Sequence, residues 1–343
     1  MICKIYRRWA WLIFFLMPLS PLPSVTLVPL GTTFLHAPLI SHELLTLLEW
    51  ALDRWEKTLL FYNRRGSGRA WICQDCGYFP LCPHCDIALA YHTSPTKRLI
   101  CHHCGHIERL FIECLKCKGH KLQAIGIGIQ QIEADIARLL PTASILRIDS
   151  DTDKKKSELY MSWVHHNIVI STYASLGLIH TEIDHIVCLL FESDLTLPDY
   201  RMEEEVYHAL EYMKKSGKDL LIQTYLPEHP LLHILLEGNY RDFLHSMSTE
   251  RARFGYPPYA EFALIRVHDA RRERVQDIIG KLVNKISILK SDDIFLAYDR
   301  DITEKYAGEY IQKIILKWKD LSIILKELEV EIVKNRAVTL EWR

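Results

Sequence analysis

The sequence predicts an α/β domain built on a parallel sheet with helices on both faces, an inserted cysteine-rich module, and an α+β C-terminal domain. Between residues 44 and 225, short apolar runs alternate with amphipathic helical stretches, which is typical of a parallel sheet covered on both faces. Eight cysteines in four Cys-x-x-Cys pairs interrupt this alternation. After residue 260, the apolar pattern follows the order β-α-β-β-α-β, the split βαβ arrangement.

The composition is that of an ordinary globular protein. A length of 343 residues, 49% of them hydrophobic and 25% charged, supplies enough apolar material for more than one core. The formal net charge of -1 excludes a basic field over the whole chain. Any binding of nucleic acid must therefore come from local patches of lysine and arginine.

The start of the chain carries a basic cluster followed by an apolar run. Lys4, Arg7 and Arg8 precede the run 9–19, a pattern that resembles the start of a signal peptide. The run is shorter than the roughly 20 residues that span a bilayer. Pro18 interrupts it, and no small-x-small cleavage pattern follows. We therefore expect an apolar N-terminal segment over residues 1–35, no membrane partner and a cytoplasmic location.

Periodicity predicts the elements of the α/β domain. Leucines repeat at helical spacing after Ser41, which is a good N-cap, so a helix is predicted over residues 41–56. Further helices are predicted at 130–140, around 155–164 and at 203–214. The predicted strands are 58–62, 145–148, 167–171, 185–191 and 220–225. The cysteine-rich module is thus inserted after the first predicted strand.

A helical stretch over residues 231–253 connects the two domains and ends at Gly255, where Tyr256-Pro257-Pro258-Tyr259 makes a stiff aromatic turn. The split βαβ pattern follows it. Its predicted strands are 261–267, 294–298, 310–317 and a last one ending near Trp342, with helices around 273–289 and at 321–328.

The cysteine pairs predict two structural zinc sites. One Cys-x-x-Cys turn aims two thiolates at a metal, and two turns complete the tetrahedral four-sulfur shell of structural zinc, with no position open for water. The fifteen residues between the second and third pairs fit one site, which leaves the first and fourth pairs for the other. Other pairings stay open. The predicted ligands are Cys73, Cys76, Cys114 and Cys117 for zinc 1, and Cys82, Cys85, Cys101 and Cys104 for zinc 2.

Other uses of these cysteines are less consistent with the sequence. Four disulfides need an oxidising compartment, and a redox Cys-x-x-Cys is usually single. The two remaining cysteines, Cys3 and Cys188, do not suggest a bridge.

Four side chains are candidates for DNA contact. Arg64 and Arg65 follow a strand end, where the loops of parallel sheets gather ligands; a solvated turn is the alternative. Tyr256 lies beside two prolines and is a candidate to stack on bases, an interaction worth about 1–3 kcal/mol per base. A packed interdomain turn is the alternative there. The nearby Arg251 supports the DNA interpretation.

Several blocks of the sequence resemble the PriA family of replication-restart DNA helicases, also called primosomal protein N-prime. The resemblance runs from about Pro23 to the end and covers the C-terminal half of the family's pattern. It includes all eight paired cysteines in the family's spacing. The other matching blocks are Leu60-Phe61-Tyr62-Asn63-Arg64-Arg65-Gly66, Gly126-Ile127-Gly128, Leu146-Arg147-Ile148-Asp149-Ser150-Asp151-Thr152, Pro198-Asp199-Tyr200-Arg201, Ile222-Gln223-Thr224-Tyr225, Pro227-Glu228-His229-Pro230, Glu250-Arg251 and Gly255-Tyr256-Pro257-Pro258.

The resemblance implies a fold and a set of partners. The α/β domain, residues 36–72 and 119–230, would be the RecA-like second lobe of a superfamily-two helicase motor. Residues 73–118 would form the zinc-binding module, and residues 231–343 a C-terminal domain that helps bind branched DNA. Residues 1–35 would be the remnant of an inter-lobe region. The family's activity is ATP-dependent 3'-5' unwinding of DNA, and its partners include single-strand-binding protein and primosome proteins.

The chain departs from the family's motor motifs. No Gly-x-x-x-x-Gly-Lys-Ser/Thr loop for ATP phosphates occurs in it; the family carries that loop in a first lobe. The family's arginine motif would fall at residues 211–218, which contain no arginine. Such an arginine is worth roughly 10³–10⁵ in rate. Lys214, Lys215 or Lys218 would replace its charge but not its bidentate fork.

We therefore expect this chain alone to be no ATPase, and the sequence assigns no catalytic or nucleotide-binding residue. ATP and magnesium would bind only if a separate chain supplied a first lobe. The leading hypothesis is binding of branched or single-stranded DNA in replication restart. The alternatives are a non-enzymatic zinc scaffold that docks replication proteins, and one half of a split helicase.

Overall fold

The computed structural model describes residues 24–62, 69–84, 88–92, 96–101, 105–125, 128–148, 163, 165–172, 183–195, 199–216, 218–289, 294–298, 305–306 and 308–342. Of the helix predicted around 155–164, only Trp163 lies within these ranges. Among the described residues, no helix has both the length and the apolar character needed to cross a membrane.

The described elements form a large α/β part, a cysteine-rich module and a C-terminal α+β part. The strands are β1 (Val25–Pro29), β2 (Leu35–Ala37), β3 (Ile40–Ser41), β4 (Thr58–Phe61), β5 (Arg69–Cys73), β6 (Ala90–His92), β7 (Arg98–Ile100), β8 (Ile107–Arg109), β9 (Leu122–Ile125), β10 (Ile145–Ile148), β11 (Ile168–Ser171), β12 (His185–Cys188), β13 (Asp219–Thr224), β14 (Glu261–Asp269), β15 (Phe295–Tyr298), β16 (Lys305–Tyr306), β17 (Glu309–Trp318) and β18 (Val338–Trp342). The helices are α1 (His42–Asp53), α2 (Ile129–Leu139), α3 (Glu192–Leu195), α4 (Met202–Lys215), α5 (Pro230–Glu237), α6 (Tyr240–Phe254), α7 (Arg272–Leu289) and α8 (Ser322–Val333).

A six-stranded parallel sheet is the centre of the α/β part. Its order is β1-β13-β12-β4-β11-β10, and every pairing is parallel. All four residues of β4, of β11 and of β12 are buried, because helices cover both faces of the sheet. One apolar cluster joins the sheet to α1 and α2, and another joins it to α4, α5 and α6. The predicted α/β fold class is confirmed.

Strand β1 extends this sheet beyond the predicted strands. Residues Val25–Pro29 pair with the far end of the chain, with Val25 opposite Leu220. This strand lies within residues 1–35, which were expected to be an apolar segment and the remnant of an inter-lobe region. Its partner is almost two hundred residues away, so no local pattern reveals the pairing.

Helix α1 begins and ends with recognisable caps. The Leu44 backbone N–H donates to Ser41 Oγ over 3.1 Å, as the N-cap prediction requires. At its C-terminal end, the Trp55 N–H donates to the Leu52 carbonyl (3.1 Å) and the Glu56 N–H to the Ala51 carbonyl (2.9 Å). These two bonds are a Schellman motif, in which Trp55 occupies the left-handed position with φ 62°.

The connecting segment 231–253 was expected to be one helical stretch, and the structure corrects this. It contains two helices, α5 and α6, which are separated at Gly238 and Asn239. Gly238 takes a left-handed conformation with φ 75°, and the Asn239 side chain accepts a bond from the Asp242 N–H over 3.4 Å. A left-handed glycine ends one helix and an asparagine cap starts the next.

The C-terminal part has the predicted split βαβ fold. Its antiparallel sheet has the order β15-β17-β14-β18, with β16 paired to β17. Helices α7 and α8 cover one face and pack on Ile265, Ile314 and Leu316. The other face holds Phe262 and Ile315, which pack near Tyr200 of the α/β part.

The cysteine-rich module leaves the α/β part after β4 and returns to it before α2. Its first and last strands, β5 and β9, pair with each other, and the sheet order is β8-β7-β6-β5-β9. A small core of Cys82, Leu89, Leu99 and Cys101 packs against Trp71.

Candidate metal centre and domain joint

The first and fourth cysteine pairs meet at one point. The sulfur atoms of Cys73, Cys76, Cys114 and Cys117 all lie within 4.8 Å of one another. Cys73 Sγ is 3.6 Å from Cys117 Sγ, and Cys76 Sγ is 3.6 Å from Cys114 Sγ. A tetrahedral site with metal–sulfur bonds of about 2.3 Å has sulfur–sulfur edges of about 3.8 Å. The structure thus brings together the first and fourth pairs, the predicted ligands of zinc 1, at distances that fit a four-sulfur metal site.

Each half of this site is a tight turn held by backbone hydrogen bonds. The Gly77 N–H donates to the Cys73 carbonyl over 2.8 Å, and the Lys118 N–H donates to the Cys114 carbonyl over 3.0 Å. Gly77 (φ 70°) and Lys118 (φ 62°) take the left-handed conformation. The backbone alone therefore aims both sulfurs of a pair in one direction.

The thiols of the first site differ in acidity. Burial raises the pKa of Cys76 to about 12. Burial also raises the pKa of Cys114, but hydrogen bonds from the backbone N–H groups of Cys117 and Lys116 and from the Cys117 and Cys76 side chains together outweigh it and lower the pKa to about 7. A metal binds thiolates, so loading must displace the proton of Cys76, and affinity falls as the pH falls.

The second predicted site is described only in part. Cys82 and Cys101 are buried in the small core of the module, whereas Cys85 and Cys104 lie outside the described residues. Around Cys101, the Gly105 N–H donates to the Cys101 carbonyl over 2.8 Å, and Gly105 has φ 75°. The same hydrogen bond and the same left-handed residue thus follow the first, third and fourth pairs.

The turn 73–77, which we call the first knuckle, is wedged against the α/β part. A Cβ atom on Gly77 would lie 2.2 Å from the Tyr225 carbonyl oxygen, and one on Gly31 would lie 2.7 Å from the Gln74 carbonyl oxygen. Real Cβ atoms do not approach so closely, so only glycine fits at either position. The first knuckle therefore sits between the loop after β1 and the turn after β13.

Glu192 holds the turn after β13 in place through three hydrogen bonds. It is 0% exposed, and its Oε1 accepts bonds from Thr224 Oγ1 (2.5 Å), the Tyr225 N–H (2.6 Å) and the Leu226 N–H (2.8 Å). Burial raises the pKa of Glu192 to about 7. Glu192 was not among the predicted site residues; its signal in the sequence is an acidic residue directly after the apolar run Leu189-Leu190-Phe191.

Tyr256, the candidate for stacking on bases, is packed between the α/β and C-terminal parts. Tyr256 is 3% exposed and stacks on Tyr200, with ring centroids 4.5 Å apart and planes at 11°. Lys317 Nζ lies 4.3 Å from the Tyr256 ring and donates to the Phe254 carbonyl over 2.8 Å. The ring is thus packed on its neighbours, as the alternative of a packed interdomain turn expects.

Arg251 belongs to the same contact between parts. Its Nη2 donates to Glu204 Oε2 over 2.5 Å, and its guanidinium lies 5.5 Å from the Tyr200 ring centroid. The other two DNA candidates, Arg64 and Arg65, lie outside the described residues.

The matching block Asp199-Tyr200-Arg201 forms a joint between the α/β and C-terminal parts. Arg201 Nε donates to Asp199 Oδ1 over 2.9 Å, and its Nη2 is 3.6 Å from Glu341 Oε1 on β18. A cavity of about 170 Å³ lies beside this joint. Phe79 and Leu81 of the module, Met202 of α4 and Phe254 of α6 line it, so all three parts of the chain meet here.

Two of the lysines considered as substitutes for the motor arginines have structural partners. Lys214 Nζ donates to the Leu235 carbonyl near the end of α5 over 2.5 Å. Lys215 pairs with Glu211 Oε2 over 3.0 Å. Both lysines therefore stabilise helix ends or helix faces in this structure.

Comparison with known proteins points to one family. The sequence model for the PriA DNA helicase Cys-rich region domain matches residues 82–109. The chain is 28% identical to replication restart protein PriA of Bacillus subtilis over 325 residues, 90% of this chain and 40% of that relative. The PriA of Haemophilus influenzae is 28% identical over 88% of this chain and 43% of its own length. A probable PriA of Deinococcus radiodurans is 31% identical over 75% of this chain and 28% of its own length.

The resemblance to the PriA family is thereby confirmed. The matches run through all three parts of the chain rather than through the cysteine-rich module alone. The chain spans about two fifths of the length of the curated relatives that it matches over nine tenths of its own.

Proposed function

We propose that this chain, which resembles the PriA family over 90% of its length, acts in replication restart by binding branched or single-stranded DNA in the cytoplasm. The main support for this proposal is that the similarity includes the α/β part, the cysteine-rich module and the C-terminal part together. A free-standing zinc module would match only over its own residues.

Two zinc ions would hold the module. The four sulfurs of the first site have the donor set and spacing of structural zinc, and no ligand position remains for water. The proposed ligands are Cys73, Cys76, Cys114 and Cys117 for one ion, and Cys82, Cys85, Cys101 and Cys104 for the other. When bound, each ion supplies a cross-link between two turns that are far apart in the chain.

Arg64 and Arg65 are the proposed phosphate contacts of the α/β part. In the sequence they stand between β4 and the first strand of the cysteine-rich module. Arg251 and Tyr256 would act indirectly, since their packing on Glu204 and Tyr200 fixes the C-terminal part on the α/β part.

The test is fluorescence anisotropy of a labelled fork with the zinc-loaded full chain at several salt concentrations. Affinity should fall steeply with salt, and Arg64→Ala with Arg65→Ala should lower the logarithmic salt slope by about two. Lys281→Ala is the matched control, because Lys281 is paired with Asp277 on the exposed face of α7. Fork binding that does not depend on salt would contradict the proposal.

One observation favours a second candidate, the scaffold for replication proteins. The module exposes Ile107 (53%), Ile112 (80%) and Leu115 (55%), and exposed apolar groups are typical of protein contacts. Single-strand-binding protein and primosome proteins are the partners to try. Replacing the three residues by serine would abolish their binding and leave the fork affinity unchanged if the module docks proteins.

ATP turnover separates both candidates from a motor. Fork-stimulated hydrolysis by the purified chain should stay at background, since the phosphate loop and the motor arginines are missing from its sequence. Turnover that vanishes in a Lys214, Lys215 and Lys218 triple alanine variant would reveal a different nucleotide site. Turnover only after addition of a chain with a first lobe would identify half of a split helicase.

A further inference from the structure

Helix α1 ends with a residue that is unfavourable for its own conformation. Trp55 occupies the left-handed position of the Schellman motif, with φ 62°, where helices usually place glycine. A bulky side chain in this region is strained, because Cβ approaches the carbonyl that follows it. The fold itself therefore gives no reason for tryptophan at this position.

The side chain of Trp55 gains little from packing in return. It is 85% exposed, and the neighbouring Trp50 is 39% exposed. The Arg54 guanidinium lies 4.3 Å from the Trp50 ring centroid. We call Trp50, Arg54 and Trp55 the tryptophan ridge. It combines local strain with exposed aromatic surface, a combination expected of a binding surface.

The surroundings of the ridge are acidic. Glu49 and Asp53 are exposed beside Trp50 and Arg54 on the same helix face, and among the described residues neither carboxylate forms an ion pair. Asp219 lies at the same edge of the sheet, with 44% of its side chain exposed. An occupant of the ridge should therefore be apolar and carry positive charge.

The described chain begins next to this ridge. Ser24 donates both its N–H and its hydroxyl to Asp219 Oδ1 over 3.0 Å. Asp219 Oδ2 is 4.0 Å from His185 Nδ1, and the His185 ring lies 5.5 Å from the Trp50 ring. Three contacts in series thus connect Ser24 to the tryptophan ridge.

Only the sequence of residues 1–23 bears on what precedes Ser24, since they lie outside the described residues. That sequence contains Lys4, Arg7 and Arg8, no acidic residue, and the apolar run 9–19. Residues 20–23 reach at most about 14 Å when extended, so the apolar run is tethered close to Ser24. Its charge and its apolar character are the complement of the acidic ridge.

We propose that the basic apolar segment 4–19 of this chain docks on the tryptophan ridge, with its cations facing Glu49 and Asp53. Trp55 is then an anchor retained for contact with that segment rather than for helix capping. Docking would cover the exposed rings and the apolar run in one step.

The first test is hydroxyl-radical footprinting of the full chain, with oxidation of each tryptophan read by peptide mass spectrometry. Trp163 (3% exposed) and Trp342 (51% exposed) are internal references for buried and exposed rings. Trp55 should be oxidised about tenfold more slowly than Trp342, which corresponds to a docked fraction of about nine tenths. The triple variant Lys4→Glu, Arg7→Glu and Arg8→Glu should restore fast oxidation.

A second test observes the segment itself. Limited trypsin cleavage after Arg7 and Arg8 should be slow in the wild type and faster in the Glu49→Lys, Asp53→Lys variant and in Trp55→Gly. The matched control is Glu327→Lys with Glu329→Lys, which reverses two exposed charges on α8 and should leave cleavage unchanged.

The outcomes decide the proposal. Oxidation of Trp55 as fast as Trp342 in the wild type would overturn it, as would cleavage rates unaffected by the ridge variants. Protection that increases with protein concentration would assign the ridge to a second copy instead. Docking within one chain would be established by protection that does not depend on protein concentration. This protection should be lost in the segment variant and in the ridge variants, and kept in the Glu327→Lys, Glu329→Lys control.

Discussion

Replacing Gly77 by alanine tests whether the first knuckle is wedged into the α/β part. Two costs add at this position. Gly77 has φ 70°, and a non-glycine residue in that conformation costs about 1 kcal/mol. The new Cβ would also lie 2.2 Å from the Tyr225 carbonyl oxygen, which belongs to a turn that Glu192 holds in place. Overpacking against a fixed neighbour costs about 1–3 kcal/mol more.

The expected loss of unfolding free energy for Gly77→Ala is thus about 2–4 kcal/mol. Gly255→Ala is the matched control, because Gly255 has φ 63° but nothing lies within 4 Å of its added Cβ. That variant should lose only about 1 kcal/mol. The difference between the two isolates the contact with Tyr225 from the conformational cost.

The assay is urea unfolding of the zinc-loaded full chain, followed by circular dichroism, with released zinc measured in parallel by a chromogenic chelator. Gly77→Ala should unfold at lower urea and release zinc more readily than Gly255→Ala. Equal midpoints for the two variants would refute the wedge, because the clash would then have no energetic consequence.

Three further predictions concern the metal, Glu192 and the joint. Chelation of zinc should increase amide hydrogen exchange in residues 73–117 and in the turn after β13, while α7 and α8 stay protected. Unchanged exchange in the turn after β13 would mean that the metal site does not stabilise that turn. Glu192 has a folded pKa of about 7 against 4.5 for the ordinary group, so its contribution is complete below pH 4.5 and is lost as the pH rises through 7. Glu192→Gln should remove up to roughly 3 kcal/mol of this pH dependence in urea titrations, and an unchanged profile would argue against it. Tyr256→Ala should lower stability by about 3–5 kcal/mol, Tyr256→Phe much less, and neither should change the salt slope of fork binding.

The sequence predicted most elements of the fold because their patterns are local. Ser41 caps α1 as its position suggests, and the β-α-β-β-α-β succession of the C-terminal part follows from apolar periodicity. Strand β1 was not predicted, since its pairing with β13 spans most of the chain. The break at Gly238 was not predicted, because one glycine within an apolar helical stretch is compatible with a continuous helix.

The candidate site was predictable where chemistry fixes the spacing of residues. The spacing of the paired cysteines predicts that Cys73, Cys76, Cys114 and Cys117 meet at one metal site, because few other sites need that pattern. Tyr256 shows the opposite case. An aromatic residue beside prolines suits a base platform and a packed turn equally, and only the positions of Tyr200 and Lys317 distinguish them. Glu192 was missed for a similar reason, since its three hydrogen-bond donors come from another strand end.

The pairing of β5 with β9 changes how the chain closes on itself during folding. Between β4 and α2 the backbone makes a detour of roughly 70 residues, but once β5 and β9 are joined, only roughly 10 of them remain to be closed. Shortening the loop in this way lowers the entropy cost of bringing α2 onto β4 by about 2 kcal/mol. A module whose turns are already tied by metal would therefore let the sheet assemble as though the detour were a short loop. The order in which zinc and sheet contacts form would then set how fast the α/β part folds.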